Sequence, residues 1–343
     1  MSSVPTDNRA VALPGASVAL GWQALPPEYA IPDRAPSLAE AEEYCARLAH
    51  SHYENFSVVT WFLPRHLHQH FYNVYAYCRI SDDLGDEVGN AEQSLALLDV
   101  WESELNATYL SLAEPPPREV RQPVEDLQAE FAGRNLASPR HPVFIALRET
   151  IRLCDIPRQP FADLLTAFRQ DQTVGRYATF EDVLRYCRNS ANPVGRLVLY
   201  VCGYRDDERQ QLSDYTCTAL QLANFWQDVA RDYAKGRIYL PLEDLAKYGV
   251  SESDIAERRA TPGFREMMKF EVGRARDWFH QGLSLAGMVD KHLALDIELF
   301  SRGGLEILKA IERQGGDVLT RRPAISKPRK LWLMARAAVG KLL

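Results

Sequence analysis

The feature that most constrains the fold is a pair of aspartate clusters about 140 residues apart. The first reads DDLGD and begins at Asp82, and the second reads NFWQDVARD and begins at Asn224. Residues four apart on an α-helix share one face. The spacing therefore places Asp82 and Asp86 on one helix face, and Asn224, Asp228 and Asp232 on another. Both clusters sit among apolar residues, so the fold has to bring these faces to a site where their charge is compensated.

The chemistry of the two clusters predicts a divalent metal. Carboxylates this close together repel strongly unless a cation neutralises them. Mg²⁺ takes oxygen ligands, keeps several waters and commonly bridges to substrate phosphates. The pair therefore predicts an enzyme that holds a diphosphate through Mg²⁺. A single DDxxD cluster is also typical of a solvated acidic face, but here apolar residues surround both clusters.

The composition is that of a globular enzyme. The 343 residues are 46% hydrophobic and 25% charged, which is enough for a large core. There is no run of about 18 apolar residues and no charged leader followed by an apolar stretch, so we expect neither a spanning helix nor a secretory signal. Six cysteines without CxxC spacing favour free thiols in a reducing compartment, which predicts a cytoplasmic protein.

Helical signals dominate the chain and predict an all-α fold. Ser37 begins a capping box, so a helix is expected from about residue 38. Pro64 is expected to open the helix that carries the first cluster. Thr179 is expected to cap a later helix, which Pro193 should kink. Few segments alternate with period two, so we predict many helices around a central cavity and no sheet.

No linker divides the chain, and we predict one domain with two appendages. Residues 1–36 are rich in proline and small residues and are predicted to be an irregular extension. Residues 37–322 should form a single all-α domain, and residues 323–343 a basic, apolar tail.

The C-terminal region has an unusual charge pattern. From Arg321 onward the chain has seven basic residues and no acidic one, mixed with Trp332 and leucines, whereas the formal net charge of the whole chain is −6. This mixture predicts peripheral contact with an anionic membrane. Docking of a C-terminal helix on the domain is the alternative. Basic patches are otherwise absent, which argues against nucleic acid as a partner.

Four stretches make the chain similar to a known family. They read HYENFSVVTWFLP, YAYCRISDDLGDE, YCRNSANPVGR and ANFWQDVARDYAKGRIYLP. In order and spacing they resemble the squalene/phytoene synthase family over roughly residues 38–322. The resemblance implies an all-α isoprenoid-synthase bundle around a central cavity. It also implies an isoprenoid diphosphate substrate and a reaction that begins with Mg²⁺-assisted loss of diphosphate.

The resemblance implies roles for individual residues. The metal ligands would be Asp82, Asp86, Asn224, Asp228 and Asp232, with Asp83 beside them. Substrate contacts would come from a second set: Asn55, Phe56, Tyr75, Arg79, Tyr177, Gln221, Gln227, Lys235, Arg237 and Tyr239. Arginine adds bidentate hydrogen bonds to phosphate, and aromatic faces stabilise a carbocation.

Departures from the family pattern point to one branch. Trp226-Gln227 stands where condensing members have Leu-Arg, and Glu54 adds a negative charge where they commonly have small hydroxyl residues. Both changes favour one diphosphate per turnover rather than two. Ser190 and Asn192 replace an apolar stretch and are candidate catalytic residues that hold a water. Hydrogen bonding between helices is the alternative for this pair.

The chain most resembles the hydroxysqualene synthase branch of bacterial hopanoid biosynthesis. That branch is implied to convert presqualene diphosphate and water into hydroxysqualene and diphosphate, which would couple it to a presqualene diphosphate synthase. One alternative is head-to-head condensation of prenyl diphosphates to presqualene diphosphate, squalene or phytoene. Another is a non-catalytic assembly factor, which is expected to lose the aspartates that this chain retains.

Overall fold

The computed structural model describes residues 14–51, 63–112 and 138–326. Its α-helices are α1 Pro14–Gln23, α2 Leu38–Ser51, α3 His68–Asp86, α4 Ala91–Leu112, α5 Pro142–Cys154, α6 Gln159–Gln170, α7 Phe180–Ser190, α8 Asn192–Val201, α9 Asp207–Ala234, α10 Leu242–Lys247, α11 Glu252–Ala256, α12 Pro262–Gly282 and α13 Lys291–Arg313. Short 3₁₀ helices cover Pro27–Tyr29, Arg65–Leu67 and Leu283–Gly287. The described ranges contain no strand, only an isolated β-bridge between Arg176 and Ile238. The predicted all-α fold is confirmed.

Helix starts follow the capping signals in the sequence. Before α2, the Ser37 amide donates to the Glu40 carboxylate at 2.7 Å, and the Glu40 amide donates to the Ser37 hydroxyl at 3.4 Å. Thr179 and Asp182 form the same reciprocal pair at the start of α7. Each pair satisfies backbone N–H groups that have no partner within the helix, so these starts are fixed by local sequence.

Two predictions about proline need correction. Pro64 precedes the 3₁₀ turn Arg65–Leu67, and α3 begins only at His68. Pro193 does not kink a continuous helix, because α7 ends at Ser190 and Pro193 lies in the first turn of α8. A helix interior loses a hydrogen bond at proline, whereas a first turn does not use that N–H. A new helix start is therefore lower in energy than a kink.

The segment predicted to be an irregular extension is partly helical. Helix α1 packs along α4, and Val18 and Trp22 contact the hydrophobic core. Gly21 permits the close approach, because a Cβ there would lie 2.9 Å from Leu97 Cδ1. A short helix with few local signals is stabilised mainly by such tertiary packing, which the sequence pattern does not reveal.

The helices enclose two hydrophobic cores with a cavity between them. One core surrounds α3 and its neighbours α2, α4 and α5, with Tyr77 and Trp101 fully buried. The other surrounds α9 and its neighbour α12, with Trp226 and Phe264 fully buried. The cavity lies where α3, α8, α9 and α13 meet. Both helices that carry aspartate clusters therefore form part of its wall.

The predicted membrane contact concerns residues that are mostly outside this description. Residues 327–343 contain most of the basic tail and lie beyond the described ranges. Among the described helices, none is long and apolar enough to cross a membrane. Membrane contact by the tail therefore stays a prediction.

Candidate active site

Helix α3 presents the first aspartate cluster at an open cleft. Asp82 is exposed and Asp86 is half-buried, so both carboxylates reach solvent. Asp83 is buried, and its carboxylate accepts hydrogen bonds from Tyr29 Oη and Arg79 Nε, each at 2.9 Å. These internal partners argue against Asp83 as a metal ligand, the role that its place in the motif suggested. They also hold Arg79 at the edge of the cleft.

The turn after α9 positions the basic residues that follow the second cluster. Gly236 lies just past the helix end and has φ +83°. Its amide donates to the Tyr233 carbonyl at 2.9 Å, and the Arg237 amide donates to the Asp232 carbonyl at 2.8 Å. This pair of bonds is typical of a helix that ends at a left-handed glycine. The chain reverses there and brings the next side chains back toward the cleft.

The turn joins the two clusters directly. Lys235 Nζ lies 3.0 Å from Asp86 Oδ2, and Arg237 Nη2 lies 2.9 Å from Asp86 Oδ1. These ion pairs connect positions 149 and 151 residues apart. Asp86 also contributes to the raised pKa of Asp232, as expected for carboxylates in one cleft. The structure thus brings the two helix faces together, as their spacing predicts.

A further basic residue reaches the second cluster from beyond α13. Arg322 pairs with the two carboxylate oxygens of Asp228 at 2.5 and 2.9 Å. Its Nη2 also donates to Gln227 Oε1 at 2.9 Å, and Gln227 Nε2 donates to the Pro323 carbonyl at 2.6 Å. In the sequence Arg322 is only one of several basic residues near the C-terminus. Its contact with the motif depends on the return of the chain after α13, which no local pattern indicates.

Two of the predicted metal ligands, Asp82 and Asp232, have raised pKa values. The surrounding protein atoms, and then Asp86, raise the pKa of Asp82 to about 6 although part of its surface remains open to water. Desolvation and Asp228 raise the pKa of Asp232 to about 7. Arg237 and Lys235 hold the pKa of Asp86 below its ordinary value against the opposing effect of desolvation. A cation in this cleft would favour the charged forms of the two raised carboxyls.

The oxygen donors suit a divalent cation that also contacts substrate. Within the described ranges, no group of three or more His, Cys, Asp or Glu side chains is close enough to hold a metal ion alone. The cleft instead offers two half-sites, Asp82 with Asp86 on α3 and Asn224, Asp228 and Asp232 on α9. This arrangement fits Mg²⁺, which commonly binds through one or two carboxylates together with waters and substrate phosphates.

Asp171 belongs to the cleft, although no sequence signal selects it. It follows α6, and its Oδ2 accepts a hydrogen bond from Tyr186 Oη at 2.8 Å. Arg237 Nη2 donates to the Asp171 carbonyl at 3.4 Å. Desolvation raises the pKa of Asp171 to about 6 against the opposing effect of Arg237. A single aspartate in a loop has no spacing pattern, so only the tertiary structure places it beside Asp86.

Aromatic residues expected near the substrate form a stacked cluster. The Tyr239 ring stacks on Phe225 with centroids 3.8 Å apart and on Tyr177 at 5.5 Å. All three side chains are buried. Because the rings cover one another, the cluster fixes the chain segment that carries Arg237. Tyr75 instead lines the cavity, where an aromatic face can contact substrate.

A cavity of about 280 Å³ begins about one helical turn from the two aspartate clusters. Cys78 and Leu220 line it, each one helical turn before a predicted ligand, Asp82 and Asn224 respectively. The rest of the wall is mostly apolar and includes Phe71, Val74, Val198, Leu199, Leu285 and Leu293. A hydrocarbon chain attached to a diphosphate in the cleft would extend into this space.

Ser190 and Asn192, the expected water-holding pair, have different surroundings. Asn192 is buried, and its Oδ1 accepts a hydrogen bond from Thr218 Oγ1 at 2.9 Å. The Ser190 hydroxyl is buried without a hydrogen-bond partner among the described residues. Neither residue lines the cavity. Of the other expected substrate contacts, Gln221 is half-buried on α9, whereas Asn55 and Phe56 lie outside the described residues.

The fold and the cleft together define an isoprenoid synthase, with carboxylates on two helices above a hydrocarbon cavity. A model of the squalene/phytoene synthase family matches residues 49–329. The chain therefore belongs to the squalene/phytoene synthase family. Members of this family typically act on prenyl diphosphates with a divalent metal.

Individual relatives agree with this assignment. The chain is 30% identical over 313 residues to 15-cis-phytoene synthase of Synechococcus elongatus, covering 88% of this chain and 93% of the relative. It is 44% identical in sequence to squalene synthase HpnC from Alicyclobacillus acidocaldarius. The crystal structure of that protein matches with a TM-score of 0.70, and the match covers 86% of this chain and 98% of that one. A ligand-bound dehydrosqualene synthase shares the fold at 22% identity, with a TM-score of 0.70 and coverage of 88% and 96%.

Proposed function

We propose that this protein converts presqualene diphosphate and water into hydroxysqualene and diphosphate, with Mg²⁺ as cofactor. The observation that carries the proposal is the environment of Gln227. This neutral side chain is buried, and both ends of its amide are engaged, by Arg322 and by the Pro323 carbonyl. Condensing members of the family usually have arginine at this position. The side chain at position 227 therefore contributes no positive charge toward a second diphosphate.

The basic residues of the cleft suit a single departing diphosphate. Bound Mg²⁺ would supply charge neutralisation as the C–O bond breaks. Lys235, Arg237 and Arg322 now pair with carboxylates of the two half-sites. When a cation binds those carboxylates, the three side chains can donate hydrogen bonds to phosphate oxygens instead. Such preorganised donors stabilise the charge that develops on the leaving group.

Water is the proposed nucleophile that ends the reaction. Loss of diphosphate leaves a cyclopropylcarbinyl cation, which rearranges before it is quenched. The sequence contains neither a P-loop nor a GxGxxG motif that would indicate hydride delivery by a nucleotide. Addition of water to the rearranged cation gives hydroxysqualene after loss of one proton. The apolar cavity would restrict the number of waters that reach the cation.

Product analysis tests the proposal. The purified protein is incubated with Mg²⁺ and either presqualene diphosphate or farnesyl diphosphate, and the products are identified by mass. We expect hydroxysqualene from the first substrate and no C30 product from the second. Omission of Mg²⁺ should abolish turnover. Formation of presqualene diphosphate from farnesyl diphosphate would instead assign the protein to the condensing members.

Head-to-head condensation remains the second candidate because several curated relatives are phytoene synthases. These relatives are 27–30% identical and cover most of the chain. The same incubation decides between the two candidates, provided that geranylgeranyl diphosphate is included as a third substrate. A protein that turns over none of the three substrates would favour the non-catalytic alternative.

A further inference from the structure

A tyrosine from the N-terminal segment reaches the first aspartate cluster. Tyr29 lies in the 3₁₀ turn Pro27–Tyr29 and is only 2% exposed. Its hydroxyl donates to Asp83 Oδ2 at 2.9 Å, although the two residues are 54 positions apart in the sequence. Tyr29 lies upstream of the four stretches that resemble the family, and no motif draws attention to it. Its role therefore has to be inferred from this contact.

The segment around Tyr29 is anchored on both sides, so the tyrosine ring has a fixed position. Before it in the chain, the Glu28 carbonyl accepts a hydrogen bond from Tyr44 Oη of α2 at 2.8 Å. After it, the Pro32 carbonyl accepts a hydrogen bond from Arg140 Nη2 at 2.7 Å. The Tyr29 ring itself belongs to the hydrophobic core that surrounds α3. These contacts direct its hydroxyl toward the helix that carries the first aspartate cluster.

Asp83 connects Tyr29 to a basic residue of the cleft. The Asp83 carboxylate is buried, and Arg79 binds both of its oxygens, with Nε at 2.9 Å from Oδ2. Tyr29 therefore donates to the same oxygen as Arg79 Nε. Burial and Asp83 raise the pKa of Tyr29, so the phenol keeps its proton and acts as a donor. A carboxylate that accepts hydrogen bonds from two sides has little freedom to rotate, so it holds the guanidinium in one orientation.

Arg79 is placed to contact a diphosphate in the cleft. It lies three residues before Asp82 on α3, and residues three apart share one helix face. Its side chain is 31% exposed, whereas that of Asp83 is 7% exposed. Among the described residues, Arg79 Nη1 makes no hydrogen bond, so this nitrogen is available to a ligand. Desolvation and Asp86 raise the pKa of Asp82, and Arg79 opposes that rise, as expected for a cation that faces the cluster.

A purely structural role for Tyr29 predicts a different outcome of mutation. A buried carboxylate needs hydrogen-bond donors, and the tyrosine hydroxyl supplies one. If this were its only effect, loss of the hydroxyl would lower stability without altering how the cleft binds diphosphate. The shared acceptor oxygen adds a second effect, because a shift of the Asp83 carboxylate also moves the guanidinium that it holds. A displacement of about 1 Å in a positioned group can lower a rate by about a hundredfold.

We propose that Tyr29 is a positioning residue that orients Arg79, through Asp83, toward the departing diphosphate. This inference rests on the proposed function. The Tyr29 hydroxyl fixes the Asp83 carboxylate, the carboxylate orients the guanidinium, and the guanidinium donates through Nη1 to a phosphate oxygen. Tyr29 itself does not touch the substrate. The N-terminal segment thereby becomes part of the active site, although it contributes none of the predicted metal ligands.

The test measures the affinity of the protein for inorganic diphosphate in the presence of Mg²⁺ by titration calorimetry. We expect Tyr29→Phe, which keeps the buried ring, to bind diphosphate about tenfold more weakly than wild type. Arg79→Gln should bind it about a hundredfold more weakly. In the double variant, Tyr29→Phe should add less than about a twofold loss, because the residue through which it acts is gone. With presqualene diphosphate, Tyr29→Phe should lower kcat about tenfold and change KM by less than about threefold, since the charge on the leaving group is greatest in the transition state.

Tyr44→Phe is the matched control. It removes a hydrogen bond that holds the same segment, at the Glu28 carbonyl, but the Tyr44 hydroxyl does not contact Asp83. Its melting temperature should fall as in Tyr29→Phe, whereas its affinity for diphosphate should stay within about twofold of wild type. If thermal melting shows that Tyr29→Phe does not fold, Asp83→Asn replaces it, because that change weakens the same link to Arg79 and should also weaken diphosphate binding.

Three outcomes overturn the inference. They are an unchanged diphosphate affinity in the folded Tyr29→Phe or Asp83→Asn variant, an equal loss from Tyr29→Phe in the wild-type and Arg79→Gln backgrounds, and an equal loss in Tyr44→Phe. In the last case the effect would follow from loosening of the segment alone. Failure of the proposed function is distinguishable, because the wild-type protein would then bind diphosphate with Mg²⁺ but form no hydroxysqualene from presqualene diphosphate.

Discussion

At the scale of single residues, the cleft is a set of carboxylates whose charge is compensated by the chain itself. Lys235 and Arg237 pair with Asp86, and Arg322 pairs with Asp228. Asp82 has no such strong compensation, since desolvation and Asp86 raise its pKa to about 6. A bound cation would therefore favour the ionised form of Asp82.

Neutralising Asp82 should impair turnover without unfolding the protein. We expect Asp82→Asn to lower kcat by roughly 10²-fold or more, because a group that stabilises transition-state charge is removed. Thermal stability should change little or rise slightly, since one of several repelling carboxyls is gone. The measurement is diphosphate release at saturating Mg²⁺. Asp99→Asn, an exposed acid on α4, is the control. Near-normal turnover of folded Asp82→Asn would contradict the proposed role of Asp82 as a metal ligand.

At the scale of elements, the turn after α9 decides whether the two clusters share one site. Gly236 adopts φ +83°, a conformation that other residues adopt only at a cost. Gly203 ends α8 in the same way, with φ +86°. A Cβ at either glycine would meet no atom within 4 Å. The two turns are therefore matched in strain and differ in what they position.

Alanine substitutions at the two glycines should separate stability from function. Gly236→Ala and Gly203→Ala should each lower the free energy of unfolding by about 1 kcal/mol, through left-handed backbone strain. Only Gly236→Ala should also lower turnover, by about tenfold, because a small displacement of Arg237 weakens its hold on the leaving group. Denaturant titration and diphosphate release provide the two readouts. Equal activity losses in both variants would contradict this account.

Helix α12 contains a buried acid, Glu271, that should make the stability of the protein depend on pH. Glu271 is fully buried, and Arg274 lies 3.4 Å from it and 3.0 Å from Asp244. Burial raises the pKa of Glu271 to about 8, against the opposing effect of Arg274. The folded protein therefore holds a proton that the unfolded chain releases near pH 4.5. The stability that the protonated Glu271 contributes to the folded state is fully present below pH 4.5 and is lost as pH rises through about 8.

Glu271→Gln should make stability less dependent on pH. The neutral amide keeps the uncharged state at all pH values, so the variant should lose less stability than wild type between pH 6 and pH 9. We expect the difference to be at least about 1 kcal/mol. Thermal melting at several pH values provides the measurement. Glu266→Gln, at an exposed position of the same helix, should behave like wild type. Parallel pH profiles for wild type and Glu271→Gln would rule out this origin of the pH dependence.

At the scale of the whole molecule, the site lies between two hydrophobic cores and receives its last residue from beyond α13. Arg322 and Pro323 are fixed on α9 by Asp228 and Gln227. The basic residues of the tail beyond Arg322 begin only at Lys327. Residues 327–343 can therefore be removed while Arg322 and Pro323 stay in place.

Removal of residues 327–343 should weaken binding to anionic membranes. Each basic residue near such a surface contributes about 1 kcal/mol, and the effect is screened by salt. We expect the truncated protein to co-sediment less with phosphatidylserine vesicles, and the full chain to lose binding at high salt. Turnover of presqualene diphosphate in detergent should persist in the truncated protein. Equal vesicle binding by both proteins would favour docking of the tail on the domain.

The sequence by itself determined the helical class, the capped helix starts and the shared faces of the two aspartate clusters. These features depend on local hydrogen bonding or on helical periodicity, which act over a few residues. Ser37 and Thr179 start helices through their own side chains, and the four-residue spacing of the aspartates fixes their shared faces. Such information is present in any short window of the chain.

Only the tertiary structure decided which distant residues complete the cleft and the cavity. Asp171 and Arg322 are single residues without a spacing pattern, and they enter the site because separate helices pack together. Packing also made α1 helical and turned the expected kink at Pro193 into a new helix start. Contacts between residues about 100 positions apart depend on the closure of the whole bundle, so no local pattern encodes them.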